Sequence, residues 1–183
     1  MAQVLFFNRM SHPPLSSRLG FATTVHGDKM TKARLNYFAA APDAMKGMLD
    51  LEKAVKNVSL EPSLVELVKI RASQINGCAY CIYMHTKAAR EHGEAEERLY
   101  LLDAWRESPL YSDWERAALA WTESLTLISQ THAPDEDYAA LKAHFSDKEQ
   151  VELTLLISAY NAWNRFAIGF RSTHPAKAHR AAA

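Results

Sequence analysis

Residues 66–85 read ELVKIRASQINGCAYCIYMH and contain both cysteines of the chain, Cys78 and Cys81. His85 follows the second cysteine by four residues, and Gly77 comes directly before the first. Glycine commonly ends a helix, so the sequence predicts that a new helix begins at the cysteines. Residues three and four apart are neighbours on a helix, so the pattern places two sulfurs and an imidazole on one helical face.

The position of the two sulfurs predicts thiol chemistry. The N-terminal end of a helix favours a thiolate over a thiol, and a neighbouring imidazole can accept the thiol proton. The helix dipole favours Cys78 as the nucleophile, because Cys78 is nearer the helix start. The spacing favours Cys81, because His85 lies one turn further along and can act as its base. We favour Cys81, since a specific base acts on one sulfur whereas the dipole acts on both.

Glu66 is the acidic residue of an apolar run, LVELVKI, and lies twelve residues before Cys78. One interpretation is an ordinary exposed position on a helix. The other is a carboxylate that orients His85 or relays its proton, as the third group of a catalytic triad does. If the helices on either side of Gly77 run antiparallel, Glu66 comes level with His85.

A Cys-x-x-Cys pair is compatible with four kinds of site. A structural disulfide is disfavoured, because so small a loop removes little entropy from the unfolded chain. Covalent haem attachment requires a histidine directly after the second cysteine, where this chain has Ile82. A closed zinc site needs a fourth ligand besides the cysteines and His85, and one straight helix that also carries His92 cannot wrap four ligands around an ion. Thiol redox chemistry is the interpretation that we favour.

The spaced set Glu66, Cys78, Cys81 and His85 resembles the active-site pattern of AhpD-like alkylhydroperoxidases, within the carboxymuconolactone decarboxylase superfamily. The resemblance covers about residues 31–170 and includes HFSDKEQVELTLLISAYNAWNRFAI, which is similar to the C-terminal helix of many small members. The chain departs from the pattern at Tyr80, where the best-known enzymes of this type carry a histidine. A phenol is a poor base at neutral pH, although its hydroxyl can donate a hydrogen bond, so Tyr80 is a candidate accessory residue.

The resemblance implies a thiol-dependent peroxidase built as an AhpD-like helical bundle. Cys81 would be the peroxidatic residue, Cys78 the resolving one, and His85 and Glu66 would complete the catalytic set. The expected partners are a hydroperoxide substrate and an external dithiol reductant of protein or lipoyl type, and no organic or metal cofactor is required. The alternatives are a non-catalytic redox sensor or partner-binding helical oligomer, and a carboxymuconolactone decarboxylase-like enzyme, whose chemistry does not need two cysteines.

The composition is that of a soluble globular protein. The chain has 183 residues, of which 48% are hydrophobic and 23% charged. Lys+Arg and Asp+Glu are equal at 21 each, so the charge gives no indication of a nucleic-acid or membrane partner. The apolar segment QVLFF is too short for a signal peptide, and no apolar run approaches a membrane span. We therefore expect a cytoplasmic protein. The cytoplasm is reducing, and a Cys-x-x-Cys pair there is seldom a structural disulfide.

Three regions are predicted along the chain: an irregular N-terminal arm at residues 1–30, a helical domain at 31–170 and a flexible tail at 171–183. No strand alternation appears in the central region, so the predicted class is all-α with about eight helices. Helix starts are predicted at caps and prolines, and two long segments are each predicted to form one helix. These starts are Thr31, Pro42, Ser112 and Ser146, and the two segments are 94–107 and 112–128.

Several helices carry apolar residues on more than one face, for example AWTESLTLIS and LTLLISAYNAW, which predicts burial on both sides. Together with the family resemblance, this pattern predicts a homo-oligomer, either a trimer or a hexamer. Asn161, Asn164 and Arg165 lie within an apolar helix and need partners if they are buried. We interpret them as an intersubunit or capping network rather than as a wall of the active-site pocket.

Overall fold

The computed structural model describes residues 32–175, and this part of the chain contains nine α-helices, one 3-10 helix and no strand. The predicted all-α class is therefore confirmed. The helices are α1 (Tyr37–Ala40), α2 (Pro42–Lys56), α3 (Pro62–Asn76), α4 (Ala79–Glu91), α5 (Glu96–Leu101), the 3-10 helix (Leu102–Ala104), α6 (Asp113–Thr126), α7 (Ile128–Thr131), α8 (Asp135–His144) and α9 (Asp147–Gly169). The predicted arm at 1–30, the predicted cap at Thr31 and residues 176–183 of the predicted tail lie outside the described residues.

The predicted starts of three helices are confirmed by their caps. Pro42 is the first residue of α2, where its missing N–H costs nothing. Ser112 and Ser146 each accept a hydrogen bond from the backbone N–H three residues on, and the glutamate carboxylate at that position accepts one from the backbone N–H of the serine. These reciprocal bonds fix where α6 and α9 begin.

The helix predicted over 112–128 forms as α6 but ends at Thr126, and Ile128 begins the separate α7. Two other predicted helices differ more in extent. The helix that was expected from Thr31 begins only at Tyr37. Asn36 is its N-cap residue, and the Asn36 side chain accepts from the Ala39 N–H at 3.1 Å. The helix expected over 94–107 ends as α5 at Leu101 and continues for one short 3-10 turn. Trp105 is buried there, and its indole N–H donates to Glu123 of α6 at 2.7 Å. This tertiary contact favours the break over the helix propensity of the segment.

The central helix of the fold is α3, which packs against α4, α6 and α9. Leu64 and Val68 on one side of α3 join the core formed with α6, α8 and α9. Leu67 and Ile70 on another side join a second core that includes residues of α5 and α6. A helix that is apolar on several faces belongs in the interior, so the polar residues of α3 are held in fixed surroundings.

No helix between residues 32 and 175 combines the length and apolarity that crossing a membrane requires.

Candidate functional site

Two residues, Gly77 and Cys78, connect α3 to α4. Gly77 has φ 70° and ψ 32°, a left-handed conformation in which glycine has no steric cost. The Cys78 N–H donates to the Ser73 carbonyl at 2.9 Å and closes the turn. The chain therefore reverses abruptly, and α4 packs along α3 as the antiparallel arrangement predicts.

Both cysteines lie at the start of α4 and are buried. Cys78 is the N-cap residue, and its sulfur accepts from the Cys81 N–H at 3.4 Å. The two sulfurs are in disulfide contact, with the Cα atoms 5.4 Å apart. A negative charge on either sulfur would be stabilised here by the helix N-terminus.

Glu66 of α3 lies beside His85 of α4. The His85 Nδ1–H donates to Glu66 Oε2 at 2.9 Å, since a carboxylate can only accept. Lys69 Nζ donates to the other carboxylate oxygen, Oε1, at 2.7 Å. Glu66 is only 7% exposed, so the interpretation of Glu66 as an ordinary exposed helix position is wrong.

The protonation of this cluster follows from its contacts. Burial alone would raise the pKa of the Glu66 carboxyl, but the hydrogen bonds from His85 and Lys69 outweigh it and hold the pKa below its usual value. Glu66 is therefore a carboxylate at neutral pH. Its bond to Nδ1 fixes the tautomer of His85 and leaves Nε2 as the nitrogen that can accept a proton.

Tyr160 of α9 packs against the cluster from another side. The Tyr160 ring meets His85 edge-on at 5.0 Å between ring centroids, and Lys69 Nζ lies 5.0 Å from the centroid of the same ring. The Tyr160 hydroxyl donates to Glu52 of α2 at 3.2 Å. Burial, together with the charges of Glu52 and Glu66, raises the pKa of Tyr160 well above its ordinary value. Tyr160 therefore stays a neutral phenol and packs the imidazole in place.

A cavity of about 600 Å³ opens onto the cluster, and Cys81, His85, Glu66 and Lys69 all line it. Aromatic side chains form much of the remaining wall: Tyr37, Phe38, Tyr80, Tyr83, Tyr160 and Trp163. A cavity of this size holds a small organic molecule. Its lining places an apolar surface beside the sulfur of Cys81 and the imidazole of His85.

The two cysteines line different cavities. Cys78 lines a second cavity of about 720 Å³, together with Arg34 and His174. Tyr80 lines both cavities and packs against the two cysteines and Ala167. Tyr80, the candidate accessory residue, therefore contacts the sulfurs and borders both cavities.

The asparagines of α9 form a network within the chain. Asn76, at the end of α3, donates to Asn161 at 3.0 Å and to Asn164 at 2.9 Å. Asn164 in turn donates to the Ser73 hydroxyl at 3.1 Å. Ser73 is the residue whose carbonyl binds Cys78, so this network fastens the turn that presents the cysteines. None of these three asparagines lines the cavity at Cys81.

Sequence reasoning missed four residues of the site: Glu52, Lys69, Tyr160 and Trp163. Lys69 follows Glu66 by three residues on one helix, and this spacing is a local signal that indicates an ion pair. The Trp163 indole N–H donates to Glu52 at 3.0 Å across two helices that are distant in sequence. No local pattern indicates such a contact.

The zinc interpretation finds no support in the described part of the chain. His92 is exposed, and no group of three or more His, Cys, Asp or Glu side chains between residues 32 and 175 is placed to hold a metal ion.

Comparison with known proteins identifies relatives over most of the chain. The model of the carboxymuconolactone decarboxylase family matches residues 42–124. The uncharacterized protein YdfG of Bacillus subtilis is 47% identical over 135 residues, which span 74% of this chain and 92% of YdfG.

Two solved structures are similar in fold. A protein of unknown function from Agrobacterium tumefaciens, named as a candidate antioxidant defence protein AhpD, is 48% identical with a TM-score of 0.78. The match covers 80% of this chain and all of that one. The debrominase Bmp8 has a TM-score of 0.67 at 21% identity, with 76% of this chain and 75% of that one covered. At that identity the likeness to Bmp8 concerns the fold alone.

Proposed function

This chain belongs to the carboxymuconolactone decarboxylase family, and we propose that it is a thiol-dependent peroxidase of the AhpD-like type. The observation that carries the proposal is the buried bond between Glu66 and His85, one helical turn from Cys81. A carboxylate, an imidazole and a thiol in that order can generate a thiolate nucleophile.

In the first step, His85 Nε2 takes the proton of the Cys81 thiol, and Glu66 stabilises the imidazolium that forms. The thiolate attacks the terminal oxygen of a hydroperoxide, so that an S–O bond forms and the O–O bond breaks. Cys81 is oxidised to a sulfenic acid, and the leaving alkoxide takes the proton from His85 and departs as an alcohol.

In the second step, the Cys78 thiol attacks the sulfenic sulfur of Cys81, which releases water and forms a disulfide. The sulfur contact between these residues supports this step, because no rearrangement of the helix is needed to join them. An external dithiol then reduces the disulfide by two exchange steps and is itself oxidised to a disulfide. The cavity that Cys78 lines offers this reductant a route that the hydroperoxide does not occupy.

The remaining features of the proposal concern the surroundings of the enzyme. A cytoplasmic location fits a reductant of the protein or lipoyl type, because dithiols are kept reduced there. A homo-oligomer fits the large apolar side chains that the described helices expose, among them Leu49, Ile128 and Val151. Light scattering on the full chain at micromolar concentration should give a mass several times that of one chain, and a monomer would contradict this feature.

The proposed activity is tested by following hydroperoxide consumption with cumene hydroperoxide and hydrogen peroxide. Dithiothreitol, dihydrolipoamide and a thioredoxin system are supplied in turn as the reductant. We expect turnover of at least one hydroperoxide with at least one dithiol, and none with the Cys81→Ser variant. A stoichiometric reaction that stops after one equivalent with every reductant would instead favour a redox sensor.

A further inference from the structure

Lys69 is a buried cation that the thiol mechanism described above does not use. Its side chain is 11% exposed, and its ammonium lies 2.7 Å from Glu66 and 5.0 Å from the centroid of the Tyr160 ring. A lysine in the interior is costly unless its charge is paired. Here Glu66, the carboxylate that pairs with it, is also the one that holds His85.

The charges of the cluster change in a definite way during the proposed reaction. The proposed reaction places a thiolate and an imidazolium beside the ion pair of Glu66 and Lys69. Lys69 compensates the charge of Glu66, so the cluster that contains the thiolate has a net charge of zero. With a neutral residue at position 69, the same cluster would carry one net negative charge inside the protein, which is unfavourable at low dielectric and would make the thiolate less stable.

We propose that Lys69 is a positioning residue that balances the buried charge of Glu66 and thereby stabilises the Cys81 thiolate when it forms. The inference rests on the proposed thiol chemistry. It concerns the ionisation of Cys81, which can be measured without turnover.

The other titratable groups at the cavity do not replace Lys69. Lys56 lies 3.9 Å from Glu52, and Lys87 lies 3.7 Å from Glu91, so each cation at the rim has an acid one helical turn away. Both lysines are largely exposed, and solvent screens their charges. The phenols that line the cavity beside the cluster, Tyr80 and Tyr160, carry no positive charge. No residue of α6 lines the cavity.

The test is the pH titration of the Cys81 thiol in a Cys78→Ser background, where Cys81 is the one cysteine left. Thiolate formation is followed by ultraviolet absorbance and by the rate of alkylation with iodoacetamide. The Lys69→Gln variant keeps a hydrogen-bond donor beside Glu66 but loses the charge. We expect the thiol midpoint to rise by about one pH unit or more, as for loss of a nearby opposite charge.

Two further variants separate charge from packing. Lys69→Arg keeps the cation and should hold the midpoint within about half a unit of the parent. Lys148→Gln removes an exposed lysine of α9 that pairs with Glu152 at 3.5 Å, and it should leave the midpoint unchanged. Circular dichroism checks that each variant is folded, and Lys69→Met carries the same expectation if Lys69→Gln does not fold.

The proposal is overturned if a folded Lys69→Gln or Lys69→Met protein ionises Cys81 at the same pH as the parent. It is also overturned if Lys69→Arg raises the midpoint as much as Lys69→Gln, because packing and not charge would then be responsible. These outcomes differ from a failure of the proposed function, in which the thiol titrates as expected but no hydroperoxide is turned over.

Discussion

Glu66 and Glu115 are both buried carboxylates on helices, at 7% and 9% exposure, but their partners differ. Glu115 accepts from Arg98 and from the backbone and hydroxyl of Ser112, in the capping box of α6. Burial raises the pKa of Glu115, and the bonds from Arg98 and Ser112 lower it further than burial raises it. The pKa of Glu66 is also lowered, but its partners are Lys69 and His85.

The difference between the two regions is the reason why we propose a chemical role for Glu66 and not for Glu115. An arginine and a backbone N–H do not release protons at any ordinary pH, so the bonds of Glu115 can only hold helices together. A histidine gains and loses a proton near neutrality, so the bond of Glu66 can respond to a reaction. Glu66 also lines a cavity together with Cys81, whereas Glu115 lines none of the cavities described above. Burial and a lowered pKa alone would not have distinguished them.

The largest expected effect is the loss of activity on removal of the nucleophile. Cys81→Ser replaces one sulfur by oxygen at nearly the same size, so the fold should be unchanged. Hydroperoxide turnover should fall to the background rate, because a serine hydroxyl does not form a thiolate-like nucleophile here. Steady-state turnover above background in that variant would contradict the assignment.

The second effect concerns Glu66 itself. Glu66→Gln keeps the size of the side chain but removes the charge that stabilises the imidazolium. Turnover should slow by at least about tenfold, at the low end of what positioned acid–base groups contribute. Helical circular dichroism should be retained.

Unchanged turnover in Glu66→Gln would show that the carboxylate is a structural partner of Lys69, as Glu115 is of Arg98. Loss of folding in Glu66→Gln would show that the fold itself requires the Glu66 carboxylate, and the proposed proton relay would then have no support.

The third prediction concerns Glu115, the carboxylate to which we assign a structural role. Glu115→Gln leaves Arg98 without its charged partner and weakens the capping box, which should lower the free energy of unfolding by about 2 kcal/mol. Turnover of the protein that remains folded should equal that of the unmodified chain. Denaturant unfolding and a peroxide assay on the same sample measure both quantities. Slower turnover in Glu115→Gln without a loss of stability would show that Glu115, like Glu66, contributes to the reaction, and it would contradict the difference that we infer between the two carboxylates.

The smallest effect is the dependence of stability on acid. A carboxyl whose pKa is lower in the folded state contributes stability that is present above its unfolded pKa and lost as the pH falls through the folded pKa. Glu66 and Glu115 both belong to this class, so the melting temperature should fall as the pH drops from about 5 to 3. The fall in melting temperature should be smaller in Glu115→Gln. An equal fall in that variant would show that Glu115 does not contribute to the acid dependence of stability.

Local patterns in the sequence predicted much of the fold. Gly77 predicted the turn, and Ser112 and Ser146 predicted the starts of two helices, because each of these signals acts within a few residues. The end of α5 could not be predicted in this way. It depends on the contact of Trp105 with Glu123, which is eighteen residues away along the chain.

The candidate site was predictable in its α3 and α4 parts and not in the remainder. The spacing of Glu66, Cys81 and His85 is sufficient to bring them together once α3 and α4 run antiparallel. Glu52 and Tyr160 are 108 residues apart and meet only because α2 and α9 pack together. Asn161, Asn164 and Arg165 were expected to form an intersubunit or capping network. Within the chain, Asn161 and Asn164 accept from Asn76 of α3, and Arg165 donates to the Asn161 carbonyl at 2.6 Å. A contact between subunits stays a prediction.

The most direct test of the central claim, that Cys81 is the thiol activated by Glu66 and His85, is sulfenic-acid trapping. The Cys78→Ser and Cys81→Ser variants are each treated with one equivalent of hydroperoxide and a dimedone-type probe, and the adduct is located by mass spectrometry. We predict a stable adduct on Cys81 in Cys78→Ser and none on Cys78 in Cys81→Ser. An adduct on Cys78 in Cys81→Ser, with none on Cys81 in the other variant, would contradict the account.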